Sequence, residues 1–380
     1  MRFCFITTDE ITIKMFYRPI GEFLEKEGHE VFYIANFHSS IDIQSKYDSK
    51  HFVNVPMRRG LFVKDLIKMP SILKKSIVNI SPDLVCYSTP NASYYVSKVL
   101  NKSSIKSIYF QFGLRFEGYK KGSIKRLISY ILEKRTCRNS QRIESLTLLN
   151  SHKNLTFKLT KNPKKLGVVS SGGIPGIDNT VFHKISDKDN LRKKFNYKSD
   201  DFIIATMGRI TSDKGYDTVI KSFLKLSIPS KKLIIIGDFD KTDPLSSEVE
   251  SIIKTNPNIF VTGFIEQKEA NEFLNMSNVF VHMSKREGFG QSVVEAMMCG
   301  LPTIVANVAG PCEVVDNEKT GFVVPVESVE NLASKIEELY SNNQMLERFG
   351  EEGIKKAKEM YSREKVVLEI SHNLLERAKN

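Results

Sequence analysis

The densest chemistry in the chain lies between Val281 and Val315, VHMSKREGFGQSVVEAMMCGLPTIVANVAGPCEVV. A polar turn, Ser284 to Gly290, opens a helical pattern that starts at Gln291–Ser292 and stops at Gly300 and Pro302. A glycine turn feeding a helix gathers backbone N–H groups and the positive end of the helix at one point, which suits an anion. Glu287 sits in that turn and Glu295 in the helix, eight positions on. Carboxylates would repel a phosphate held there, so they read as acceptors for sugar or ribose hydroxyls. Anion seat and hydroxyl acceptors together describe a sugar-nucleotide pocket. Earlier in the chain, Gly208–Arg209 and Lys214–Gly215 place two cations at a strand-to-helix turn, suited to a diphosphate; a surface turn with two solvated bases is the alternative. Asp238–Phe239–Asp240 follows Gly237 and has the spacing of a metal–diphosphate site. Two carboxylates alone bind magnesium weakly, and the reading assigns no metal.

The elements that must position these groups alternate. A β-rich run over 279–283, the helix, and an apolar run over 303–306 form a βαβ unit. The same pattern opens the chain, with strands expected over 2–7 and 30–35 around a helix over 16–28. It continues with strands over 83–87, 105–110, 145–149 and 165–170, and helices over 92–100 and 122–138. The last of these carries Ile124, Leu127, Ile128, Ile131 and Leu132 on one face. A Gly/Pro-rich join, 170–176, precedes a second series of strands over 202–207, 232–236, 259–262 and 279–283. Two Rossmann-like α/β domains result, 1–175 and 176–362, with 363–380 as a closing helix.

The 380 residues suffice for two cores, and no apolar run approaches the ~20 residues of a membrane span. MRFCFITTDE reads as a strand start rather than a signal peptide. Five dispersed cysteines, without CxxC or Cys/His clustering, read as reduced thiols of a cytoplasmic protein. The formal charge of +12 is unevenly spread: residues 1–185 hold 30 Lys+Arg against 14 Asp+Glu, and the rest 26 against 30. That asymmetry points to an anionic partner for the first half. Two basic stretches with apolar neighbours, 57–75 (including Leu61) and 119–142, suit an anionic membrane surface; the alternative is core-facing helices with solvated basic faces. No nucleic-acid partner is expected, because the aromatic–basic interleaving of a known module is missing.

Glu287–Gly288–Phe289–Gly290, Glu295–Ala296 and Gly300–Leu301–Pro302 resemble the E-x7-E signature of retaining glycosyltransferases of family 4, and Gly310–Pro311–Cys312–Glu313 is similar to that family's second glycine turn. The resemblance implies a GT-B fold, in which two Rossmann-like domains face a cleft and the last helix returns to the first. It implies an acceptor-binding first domain and a nucleotide-sugar-binding second one. It assigns Glu287 to the hydroxyls of the transferred sugar, Glu295 to the ribose, and Gly208, Arg209, Lys214 and Gly237 to the donor diphosphate. Thr262–Gly263–Phe264–Ile265 would contact the nucleobase, with a plain turn as the alternative. Glu287, Arg209 and Lys214 are the catalytic candidates. Phe112 stands where many members carry a histidine, and Glu117 is the acceptor-side candidate, a structural turn being the alternative.

The reading is a metal-independent, retaining hexosyl- or N-acetylhexosaminyltransferase. Its donor would be a UDP-sugar ahead of a GDP-sugar, with no further cofactor. Its acceptor would be a saccharide linked to polyprenyl diphosphate, in capsule or lipopolysaccharide synthesis, and the enzyme would be peripheral on the cytoplasmic membrane face. A sugar-nucleotide epimerase of the same fold and a nucleic-acid-binding protein are the rival readings.

Overall fold

The computed structural model describes residues 1–37, 51–60, 62–240 and 243–379. It divides into two compact units, Met1–Gly176 with Glu364–Asn380, and Ile177–Arg363. Leu61, in the first basic stretch, lies outside the described residues.

The first unit is built on seven parallel strands: β1 (Arg2–Asp9), β2 (Glu30–Asn36), β3 (Phe52–Asn54), β4 (Leu84–Tyr87), β5 (Lys106–Gln111), β6 (Arg142–Ser145) and β7 (Leu166–Val168), in the order β3-β2-β1-β4-β5-β6-β7. Phe3–Ile6 of β1 and all of β4 are apolar and buried, as strands covered on both faces must be. The closing helix Arg363–Lys379 belongs to this unit from Glu364 on. It buries Val366, Val367, Ile370 and Leu374, and Lys106 Nζ donates to the Ala378 carbonyl at 2.8 Å.

Three expectations are corrected here. Helical structure after β1 begins at Glu10 rather than residue 16, because the Asp9 side chain caps it by accepting from Thr12 N. It runs through a π-helical turn, Ile13–Tyr17, into the helix Arg18–Lys26. The strand expected over 145–149 ends at Ser145, since Thr147 caps the helix Leu148–Thr156. The helix Ile124–Asn139 turns Glu133, Thr136 and Cys137 inward. Ile124, Leu127 and Ile131, expected to share one apolar face with Ile128 and Leu132, are exposed instead.

The second unit has six parallel strands: β8 (Phe202–Met207), β9 (Lys231–Ile236), β10 (Ile259–Val261), β11 (Val279–His282), β12 (Thr303–Ala306) and β13 (Gly321–Val324), in the order β10-β9-β8-β11-β12-β13. Its core joins Ile204, Leu233, Ile235, Val279, Val281 and Ile304 of the strands to Val219, Ile220 and Phe223 of the helix Tyr216–Lys225. In both sheets the strand order reverses beside the first strand, at β1/β4 and at β8/β11. Chains leaving adjacent strands toward opposite sides open a crevice at the carboxyl ends, where open α/β sheets bind ligands.

Candidate functional site

At the β8/β11 crevice the loops after the two strands bring Asp213, Lys214, Arg286 and Glu287 together. After β8 the chain runs through Gly208–Arg209 and a 3-10 turn, Ser212–Lys214, into the helix Tyr216–Lys225. After β11 it forms the turn that opens the helix Gln291–Met298, with Gly290 at its N-cap. Three contacts tie the two turns together. Lys285 N donates to the Asp213 carbonyl at 2.8 Å, Arg286 pairs with Asp213 at 2.8 Å, and Lys214 Nζ reaches Glu287 Oε2 at 2.6 Å. Gly215 makes this approach possible: its φ is +72°, and a Cβ there would collide with the Met283 carbonyl oxygen.

Glu287 is the centre of the site. Its Oε2 also accepts from Ser284 Oγ at 3.1 Å and lies 3.2 Å from His282 Nε2. Burial by itself pushes the carboxyl up; the Lys214 charge and the His282 contact outweigh it and hold the group well below the usual carboxylate range. The carboxylate is therefore ionised, and the facing ring nitrogen of His282 donates. Glu295, one turn into the helix, differs. It is buried, with Gln291 Nε2 3.5 Å from its Oε1, and burial, outweighing that contact and the Arg363 charge, pushes its carboxyl up to about 7.

The remaining groups lie around this centre. A Cβ on Gly237, at φ +147°, would collide with the Gly208 carbonyl, so the ends of β8 and β9 meet backbone to backbone. Gly237 N donates to Thr262 Oγ1 at 3.2 Å, which links β10's end to the same surface. Arg209 pairs with Asp240 at 2.5 Å. Beyond them Phe264 is 86% exposed beside half-buried Ile265, an aromatic face free to stack. Phe289 is buried against Tyr361, ring centroids 5.3 Å apart, and so anchors the turn that carries Gly288 and Gly290. Gly310, at φ +99°, packs on the Phe289 backbone, bringing the second glycine turn to the first.

Lys214, Glu287 and Gly288 thus share the crevice; Gly208, Arg209 and Gly237 adjoin it. Glu117 belongs to the other unit, in a short 3-10 turn, and pairs with Lys153 at 3.0 Å. Phe112 packs against Phe16, centroids 5.1 Å apart. The sequence reading missed His282 and Ser284. The available signal was position: one ends a strand at the order reversal, and the other precedes Glu287 by three residues within the turn. Among the described residues no group of three or more His, Cys, Asp or Glu is placed to hold a metal ion.

Gly215→Ala should lower stability by about 2–4 kcal/mol, since the new methyl adds a left-handed backbone cost to a collision with backbone. Thermal unfolding checks this, with a fall in Tm of several degrees expected.

Residues 187–356 match the sequence profile described as glycosyl transferases group 1. The capsular polysaccharide biosynthesis glycosyltransferase CapM of Staphylococcus aureus is 29% identical over 351 residues, covering 90% of this chain and 88% of that protein. The UDP-Gal:alpha-D-GlcNAc-diphosphoundecaprenol alpha-1,3-galactosyltransferase of Escherichia coli is 26% identical over 230 residues, 59% of this chain and 57% of that protein. Among solved structures, sucrose-phosphate synthase from Thermosynechococcus elongatus superposes with a TM-score of 0.82 over 99% of this chain and 98% of that one, at 18% identity. At that identity the structural likeness speaks for the fold. The chain therefore has the two-domain GT-B fold, and residues 187–356, within its second unit, match the group 1 glycosyl transferase profile.

Proposed function

We propose that this chain is a retaining, metal-independent glycosyltransferase that moves a hexosyl or N-acetylhexosaminyl group from a UDP-sugar to a lipid-linked saccharide in cell-surface polysaccharide synthesis. The observation that carries the reading is the Lys214–Glu287 pair at the β8/β11 crevice, which sets a cation for phosphate beside a carboxylate for sugar hydroxyls. The first domain takes the acceptor and the second the nucleotide. The donor diphosphate sits at the N-terminus of the helix Gln291–Met298 with Arg209 and Lys214. As the bond from the anomeric carbon to the phosphate oxygen breaks, these cations neutralise the charge left behind, the part that a metal ion plays elsewhere. The acceptor oxygen attacks the same face of the sugar, and its proton passes to the departing phosphate. Glu287 orients the transferred sugar and Glu295 holds the ribose.

The choice of UDP-sugar and of an acceptor linked to polyprenyl diphosphate draws on what the Escherichia coli relative is named for. The capsule setting draws on the Staphylococcus aureus one. No helix among the described residues is long and apolar enough to cross a membrane. A peripheral position on the cytoplasmic face of an anionic membrane agrees with the basic first half of the sequence. None of the relatives reported above favours the epimerase reading. The reaction is tested by offering UDP-sugars and a polyprenyl-diphosphate saccharide and reading the new anomeric configuration by NMR. The same α-configuration in donor and product is expected; inversion, or epimerised donor without transfer, would overturn the proposal.

Glu295 makes a pH prediction. A ribose hydroxyl donates to its ionised form, and burial has pushed its carboxyl up to about 7. UDP affinity should therefore rise as pH goes from 6 to 8. Glu295→Gln should flatten that dependence and weaken UDP at pH 8 roughly tenfold, as losing a charge-assisted hydrogen bond would. Calorimetric titration across the pH range checks both.

A further inference from the structure

The first unit holds a cavity of about 440 Å³, walled by Leu66, Tyr94, Tyr95, Ile128 and Leu132, with Arg115 and Lys125 also lining it. It lies past the carboxyl ends of β3, β4 and β5, on the stretches that open the helices Asp65–Ile80, Pro90–Leu100 and Ile124–Asn139. That is the edge at which parallel sheets take ligands, and the volume is that of a small-molecule site. Glu133 also lines it, and is tied inward by Tyr109 Oη at 2.9 Å and Gln111 Nε2 at 2.7 Å. Asn91 Nδ2 donates to the Arg58 carbonyl at 2.6 Å, pinning the loop that brings Gly60 to the cavity.

Two of these helices, Asp65–Ile80 and Ile124–Asn139, also expose large apolar side chains. Ile124 is 76% exposed, Leu127 58% and Ile67 75%. On the helix Ile124–Asn139 the residues lining the cavity (125, 128, 129, 132) and the exposed apolar ones (124, 127, 131) occupy adjoining faces at helical spacing. Exposed Lys120, Lys121 and Arg135 stand among them, within the half of the sequence that holds 30 Lys+Arg against 14 Asp+Glu. Apolar walls, cations beside them and an apolar, basic surround match an amphiphile with an anionic head better than a free saccharide, which would leave the apolar surround uncovered.

We propose that this cavity is a subsite for the lipid of the acceptor, taking hydrocarbon between Leu66, Tyr94, Ile128 and Leu132 and the diphosphate at Arg115 and Lys125. The inference rests on the lipid-linked acceptor proposed above and adds where the lipid is held. The exposed isoleucines and leucine enter the bilayer beside it, so the chain passes from membrane to cavity without crossing water.

The test titrates the full chain with farnesyl diphosphate, inorganic diphosphate and UDP. Farnesyl diphosphate should bind at least tenfold more tightly than inorganic diphosphate. Ser129→Trp, which fills the cavity, should abolish that preference and leave UDP binding unchanged. Lys125→Glu, at an exposed position, should weaken farnesyl diphosphate several-fold without affecting UDP. Equal binding of the two diphosphates by a wild-type chain that binds UDP would overturn the lipid subsite and leave the transferase reading standing. A preference that survives both variants would overturn it equally. Failure to bind UDP, whatever the lipid does, would instead sink the transferase reading.

Discussion

Lys214→Ala is expected to lower kcat for transfer by roughly 10²–10³-fold, with a smaller effect on donor KM. The magnitude is that of removing one preorganised group aimed at charge that develops in the transition state. Lys214 is fixed before any donor arrives: its Nζ lies 2.6 Å from Glu287 Oε2, and the next residue, Gly215, cannot move away from Met283 without unpacking the turn. A group already in place costs no reorganisation when the diphosphate departs. Lys214→Arg keeps the charge but not the reach, and should recover only part of the rate. Steady-state kinetics of the three forms, with UDP binding measured alongside, separates loss of chemistry from loss of binding.

Glu287→Ala is expected to lower kcat/KM by roughly 10²-fold, as loss of a charge-assisted contact to the transferred sugar would. It also leaves Lys214, His282 and Ser284 directed at a void. Glu287→Gln restores the shape but not the charge, and should recover little. Acid stability separates this structural part. Above pH 4.5, the ordinary value for a glutamate, the ionised pair contributes its stability in full; that contribution is lost as pH falls through the depressed value in the folded state. Glu287→Gln should therefore be less stable than wild type near neutrality, and the two should converge on acidification. Chemical denaturation at several pH values reads this directly.

The two-domain α/β architecture was legible because parallel strands buried on both faces appear as short apolar runs between glycine turns. The run over 303–306 corresponds to β12 residue for residue, and the helix expected from Gln291 is Gln291–Met298. Short or half-buried strands carried less signal: β3 and β13, three and four residues long, were not read. The helix Ile124–Asn139 shows a different failure. Its apolar spacing was visible, but amphipathicity says only that a face is apolar, not that the protein's own core covers it. Here the core takes the face with Glu133, Thr136 and Cys137, because Glu133 finds Tyr109 and Gln111 as partners inside.

In the candidate site, glycine positions and carboxylate spacing singled out Glu287 and Glu295. The opposite environments of the two were not readable. They depend on the order reversal that brings Lys214, from the loop after β8, beside Glu287 from the loop after β11. His282 stayed hidden for the same reason, since a lone histidine ending an apolar strand is more often core than site.

The most direct test of the account is calorimetric titration of UDP into wild type and into Lys214→Ala combined with Glu295→Ala, at pH 8. The account predicts one site per chain in the wild type and affinity at least a hundredfold weaker in the double variant, with Phe264→Ala an intermediate case. Equal affinity in wild type and double variant, in proteins that unfold with similar cooperativity, would contradict the assignment of the β8/β11 crevice to the nucleotide-sugar.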